Sequence, residues 1–316
     1  MPATDHTALL AELDTLLESH FDEFVAFRRR LHMHPELSGQ EFATTESIVS
    51  RLQVSALRPT ILRSGTGAVC DVPGLRPGPV VALRADIDAL AMDESIDAPY
   101  RSQVPGVAHC CGHDVHATIV MASGLILARL LRRFDAPPGS VRLIFEPNEE
   151  SVPGGAVEVI EQGHLAGVAS IFALHCDPKA DVGLIRVSEG AITSATDIVR
   201  IRLTGPGGHT ARPEQAVDLV KIAGRIAVDA PGLLDAAASR PGAMRLVFGS
   251  LRAGHAPNVL PSHASLDGTL RAQDWDDWQA GPDLLVKAVE QLVGDTGAEG
   301  ELQHDRGVPP VVNDPE

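Results

Sequence analysis

The sequence predicts an α/β protein of two domains: a mostly parallel, doubly wound sheet, then a ferredoxin-like α+β sandwich. Three observations carry this. The chain has 316 residues, which at about 150 residues per domain makes two. In the first half, strand-like apolar runs alternate with helical runs, as in a parallel sheet joined by crossover helices. After about residue 192 the order becomes strand, helix, two strands, helix, strand, that of a split βαβ sandwich.

Element by element, Leu9, Leu10, Leu13, Leu16, Leu17, Phe21 and Phe24 recur at helical spacing and predict an amphipathic core helix over 7–32. From Val80, VVALRADIDAL is a continuous apolar run ending in Asp86 and Asp88. VRLIF (141–145) runs into Glu146, Glu149 and Glu150, and SIFALHC (170–176) ends in His175 and Cys176. Between the first two strands, 116–134 reads as an apolar helix closed by APPG. In such sheets ligands bind beyond the carboxyl ends of the strands, where these polar residues fall.

In the second domain, 196–205 and the runs MRLVFGSLRAG and SHASLDGTLRAQ read as strands, with helices over 215–230 and 283–294 and a short strand at ELQHD. The expected division is 1–191 and 192–305, with 306–316 turning back toward the first domain.

Lys plus Arg number 26 and Asp plus Glu 42, a net charge of −16, which argues against nucleic acid or an anionic membrane as partner. No window approaches eighteen uninterrupted apolar residues, and the start lacks the basic flank and apolar core of a signal peptide. The expectation is a cytoplasmic protein. Four cysteines without an export signal do not form a disulfide framework. Cys70 reads as a small buried hydrophobe.

The densest chemistry is AHCCGHDVH, 108–116. Thiolate and imidazole suit zinc and related ions, and Cys111 and His113, one glycine apart, can face one ion from a bent loop; a capping or surface histidine fits the same residues. In FEPNEE, Glu149 and Glu150 follow a strand, either as a solvated acidic turn or as a ligand beside a proton acceptor. His175 ends an apolar strand, a place equally open to a structural histidine. Three strand ends delivering Cys/His, Glu/Glu and His to one sheet edge together favour a metal site. In GPGGHTARP, His209 follows glycines (205, 207 and 208) that permit close approach and positive φ, so it is a turn histidine or one presented to a substrate. No Lys-Ser/Thr follows, so this is not a phosphate loop. Asn258 and Arg271 come later; Arg271 is a solvated strand charge or a fork for a substrate carboxylate.

Taken in order, FRRRLHMHPELSGQE, ALRADIDAL, HCCGHDVH, FEPNEE, ALHCDP, GPGGHTARP, APNVLPSHASLDGTLR and PPVVND resemble the metal-dependent aminoacylase and carboxypeptidase family, in its amidohydrolase branch of hippurate and auxin-conjugate hydrolases. The resemblance implies hydrolysis of the amide of N-acyl amino acids or related small conjugates by an enzyme with two divalent ions, zinc or manganese foremost, nickel or cobalt possible. It makes Cys111 the bridging thiolate, His113, Glu150 and His175 the other ligands, and Glu149 the general base. It gives His209 to the tetrahedral intermediate from the partner subunit of a homodimer, Asn258 and Arg271 to substrate binding, and the second domain a role as lid and dimerisation domain. Cys110, Glu146 and Asn148 depart from the usual small apolar residue, Gln and Ala. Family members continue past PPVVND with a final ligand histidine, so the expectation here is a catalytic domain incomplete at its C-terminus, with four of five protein ligands. The rival readings are a truncated, inactive member acting as a metal-binding or dimerising module, and a dipeptidase or carboxypeptidase on the same scaffold.

Overall fold

The computed structural model describes residues 6–133 and 139–315, which form two compact units, Met1–Val182 and Gly183–Glu316.

The first unit opens with α1 (His6–Met33) and α2 (Phe42–Gln53), followed by β1 (Thr60–Ile61), β2 (Ala68–Pro73) and β3 (Val80–Asp86). Then come α3 (His113–Arg133), β4 (Ser140–Glu146), α4 (Gly155–Glu161) and β5 (Val168–Ala173). The sheet order is β1-β2-β4-β3-β5. The three strands legible as apolar runs, β3, β4 and β5, pair in parallel. β1 and β2, not anticipated, extend the other edge antiparallel. Apolar side chains of α1, α2 and α3 pack with Ala68, Cys70, Val72, Leu143 and Phe145 into one core. Val159 of α4 closes a smaller one with Val69, Ala82 and Ile144. Helices therefore cover both faces, and strand alternation divides the residues between them.

One expectation needs correction, and one apolar strand takes an unusual place. On α1, Phe24 and Leu31 are buried and Leu9, Leu13, Leu16 and Phe27 pack against the core, but Leu10, Leu17 and Phe21 are exposed. The apolar surface of α1 is wider than the stripe this unit covers. The third apolar strand, β5, is a sheet edge rather than a buried interior strand, and Ile171, Phe172 and Leu174 are about half exposed. α3 is long and apolar enough to cross a membrane by length and composition, yet 67% of its 18-residue apolar window is buried in the protein. The APPG expected to close it lies largely outside the described residues.

The second unit contains β6 (Gly190–Thr193), β7 (Thr196–Thr204), β8 (Gly208–His209), α5 (Leu219–Ala237), β9 (Met244–Ala253) and β10 (Val259–Leu260). It continues with β11 (His263–Ala272), α6 (Trp275–Val293), β12 (Glu299–Val308) and β13 (Val311–Asn313). Its main sheet, β12-β7-β11-β9, is antiparallel throughout, the ferredoxin-like order. Both helices pack on one face of it, burying Leu219, Ile226 and Leu285 on Val199, Ile201, Leu203 and Leu266. α6 starts eight residues earlier than its periodicity indicated, capped by Asp274, whose side chain accepts the Asp277 N–H. β6 pairs with β13, in the segment expected to turn back.

Candidate metal centre

Three loops at the carboxyl ends of β3, β4 and β5 deliver the polar side chains. After β5, His175 places Nε2 3.3 Å from Cys111 Sγ. Cys111 and His113 are separated by Gly112 at φ +88°, a left-handed conformation that glycine adopts without strain. A Cβ there would stand 2.9 Å from Cys176 Sγ, so the bend also needs the missing side chain. His113 is the first residue of α3. Its Nε2 lies 3.6 Å from Glu150 Oε1 and 3.9 Å from Glu149 Oε2.

These separations fit a cation. Ligand atoms about 2.0–2.3 Å from one tetrahedral ion stand about 3.3–3.8 Å apart. Within two such sets, Cys111–His113–His175 and Asp88–His113–Glu149, the candidate ligand atoms lie within 4.8 Å of one another. His113 Nε2 is buried and has no hydrogen-bond partner, an orphan that an ion would satisfy. Thiol, imidazole and carboxylate donors suit zinc, manganese and their neighbours.

The electrostatics follow from the same crowding. Burial disfavours the charged form of His113, but the hydrogen bond with Asp88, the neighbouring Cys111 side chain and the carboxylates of Asp86 and Asp88 outweigh it, pushing the imidazole up to about 11. A cation arriving here has to displace that proton. Burial, reinforced by the Asp86 and Glu150 charges, raises Glu149 above the ordinary carboxylate range, the direction a proton acceptor working near neutrality requires.

Several supporting residues carried a sequence signal whose role was not drawn. Asp88 was visible only as a strand-end carboxylate; its Oδ1 is 3.1 Å from His113 Nδ1, and its Oδ2 accepts the Glu150 N–H at 2.9 Å and the Ser38 hydroxyl at 2.7 Å. Burial opposes its charge, yet these bonds hold Asp88 below its usual range. Asp86 is opposed by burial too, but the His116 hydrogen bond and the Arg84 charge bring it down to about 2. Glu41, fully buried, accepts the N–H groups of Gly39 and Asn148 and anchors the loop ahead of Glu149. Asn148 sits at φ +57°, where Asn is better tolerated than Ala. Glu146 is buried against Arg84, Oε2 to Nε 2.7 Å.

The remaining predicted residues, His209, Asn258 and Arg271, belong to the second unit. β8 pairs with β10, setting His209 opposite Val259, and the Thr210 N–H bonds to the Asn258 carbonyl, so His209 and Asn258 share one corner. Arg271 does not join them. Leu270 faces Asp197 and His263 faces Thr204, which leaves seven residues of strand, about 24 Å, between Arg271 and that corner. Arg271 instead donates to Thr196 Oγ1. None of the three glycines before His209 has positive φ; what they supply is room. A Cβ on Gly207 would lie 2.7 Å from the Leu260 carbonyl, and one on Gly208 2.9 Å from the Ala216 Cβ.

Residues 82–316 match the model of peptidase family M20/M25/M40. The chain is 42% identical over 294 residues to a putative glutamate–cysteine ligase 2-3 of Rhodococcus jostii, covering 93% of this chain and 36% of that protein. It is 35% identical over 293 residues to an N-acetylcysteine deacetylase of Bacillus subtilis, covering 92% and 76%. Among solved structures, the Bacillus subtilis YXEP protein, a dinuclear metal binding peptidase from the M20 family, superposes with a TM-score of 0.80 at 32% identity, covering 94% of this chain and 77% of that one.

Proposed function

Since the chain belongs to peptidase family M20/M25/M40, we propose that it is a metal-dependent amidohydrolase cleaving the amide of N-acyl amino acids. The observation that carries this is the convergence of Cys111, His113, Glu150 and His175 around the buried, unpartnered His113 Nε2, with Glu149 beside them. Those four side chains hold two divalent ions, of which zinc and manganese fit the donor set best. When bound, the ions polarise the scissile carbonyl and increase the acidity of the attacking water. Glu149, raised by burial and by its carboxylate neighbours, takes the proton of that water and passes it to the leaving amine. His209, exposed at the end of the short strand β8, serves the oxyanion of the other copy in a homodimer. Mixing an inactive His209→Ala chain with an inactive Glu149→Gln chain then restores part of the activity.

The name of the deacetylase relative supports an N-acylcysteine substrate, and that of the ligase relative also concerns cysteine. The chain spans about a third of the latter and three quarters of the former. The test is elemental analysis of the purified chain together with turnover of N-acetylcysteine, other N-acetyl amino acids and dipeptides. Two ions per chain with hydrolysis of acyl amino acids is the expected result. Bound metal with dipeptide turnover alone makes the protein a dipeptidase, and neither metal nor turnover makes it a non-catalytic module.

A further inference from the structure

His116 is buried at the heart of this centre, and the proposed reaction makes no use of it. It lies one turn into α3 from His113, with Asp86, His113 and His116 close enough together to suggest ligands of an ion. Its hydrogen bonds assign it differently. Nε2 accepts the backbone N–H of Cys176 at 2.8 Å, and Nδ1 stands 2.7 Å from Asp86 Oδ1. A backbone N–H only donates, so Nε2 is the bare nitrogen and Nδ1 carries the proton that Asp86 accepts. Both nitrogens are spent, and His116 has no lone pair left for a metal.

What His116 holds is the residue after His175. The ladder of β3 with β5 ends at Arg84 and Ala173, so His175 lies on exposed chain beyond the edge strand. The bond from the Cys176 N–H ties that chain back to α3, and the rings of His116 and His175 pack with centroids 4.8 Å apart. Asp86 is fixed in turn by Arg84, Nη1 to Oδ2 2.7 Å, and Arg84 by Glu146. The series Glu146, Arg84, Asp86, His116 and Cys176 thus links the ends of β4, β3 and β5. We propose that His116 is a positioning residue, an Nδ1–H imidazole clamped by Asp86 that suspends His175 within reach of Cys111. This rests on the amidohydrolase reading, in which His175 is a metal ligand.

Two substitutions divide the functions of the ring. His116→Gln keeps an oxygen near the position of Nε2, able to accept the Cys176 N–H. His116→Asn keeps an N–H toward Asp86 but is too short to reach Cys176. Cobalt(II) titration of the chain, followed by its thiolate charge-transfer and visible bands, is expected to give wild-type uptake for His116→Gln. For His116→Asn one ion should bind about 10- to 100-fold more weakly, as for other residues that orient a ligand. Asn equal to wild type, or Gln and Asn equally impaired, overturns the proposal; the second pattern is that of a direct ligand. Nitrogen-15 spectra of the metal-free, histidine-labelled wild type need no variant to fold: a protonated Nδ1 on His116 is expected, and a protonated Nε2 overturns the assignment. Wild type that takes up no cobalt overturns the amidohydrolase reading and this one with it, whereas failure of the Gln and Asn pattern alone leaves that reading standing.

Discussion

Asp88 steadies two proposed ligands at once, with Oδ1 3.1 Å from His113 Nδ1 and Oδ2 accepting the Glu150 N–H at 2.9 Å. One carboxylate thereby sets the tautomer of the imidazole and the backbone position of the glutamate. Asp88→Ala is expected to weaken zinc binding about 10- to 100-fold, measured by competition with a chromophoric chelator. Wild-type affinity would mean that His113 and Glu150 are oriented by other contacts.

Glu149 and Glu150 are adjacent but make different contacts, and burial with the neighbouring Asp86 and Glu150 charges raises the proton affinity of Glu149. Glu149→Gln should lower kcat by about 10²-fold or more while both ions stay bound. Glu150→Gln should lose metal first. Elemental analysis of both variants beside their kinetics checks this, and the reverse pattern exchanges the two roles.

Gly112 and Gly106 both have positive φ, +88° and +72°, but a Cβ on Gly106 meets nothing within 4 Å, whereas one on Gly112 meets Cys176 Sγ. Alanine at either position should cost about 1–2 kcal/mol from left-handed strain, read by chemical denaturation. Gly112→Ala alone should also reduce metal affinity, because its Cβ pushes Cys176, and with it the chain that carries His175, away from Cys111. Equal metal binding by the two variants would separate the Gly112 bend from the centre.

In the second unit, the fully buried Asp197 accepts the Trp278 Nε1–H at 2.9 Å and the Gly307 N–H at 2.9 Å, and pairs with His304 at 2.8 Å. Burial opposes its charge, but the bonds from His304, Gly307 and Trp278 hold it below the usual carboxylate value. A depressed carboxylate adds stability that is present above the unfolded-state value, about 4, and lost as pH falls through the folded one. Asp197→Asn should destabilise this unit by about 1–3 kcal/mol at neutral pH and flatten its loss of stability below about pH 4. Denaturation curves that stay parallel across that range would place the acid sensitivity elsewhere.

His304 and His116 illustrate where legibility stopped. Each is already bonded, one to Asp197 and the other to Asp86 and the Cys176 N–H, and no local pattern announces partners 30 to 107 residues away. Conversely, the strands ending at Asp86 and Glu146 and the helix beginning near His113 were readable because continuous apolar runs and helical periodicity are properties of neighbouring residues.

The sequence by itself determined the alternation of elements, the ferredoxin-like order, the acidic charge and the set of donors gathered at strand ends, since each depends on residue type and spacing along the chain. Tertiary structure decided the rest. It made β5 an edge, left Leu10, Leu17 and Phe21 outside the packed stripe, kept Arg271 at the far end of its strand from His209, and gave Asp88 and His116 their partners. The physical reason is that a donor's worth depends on which atoms of distant segments stand within about 3 Å of it, and that distance exists only once the sheet has assembled.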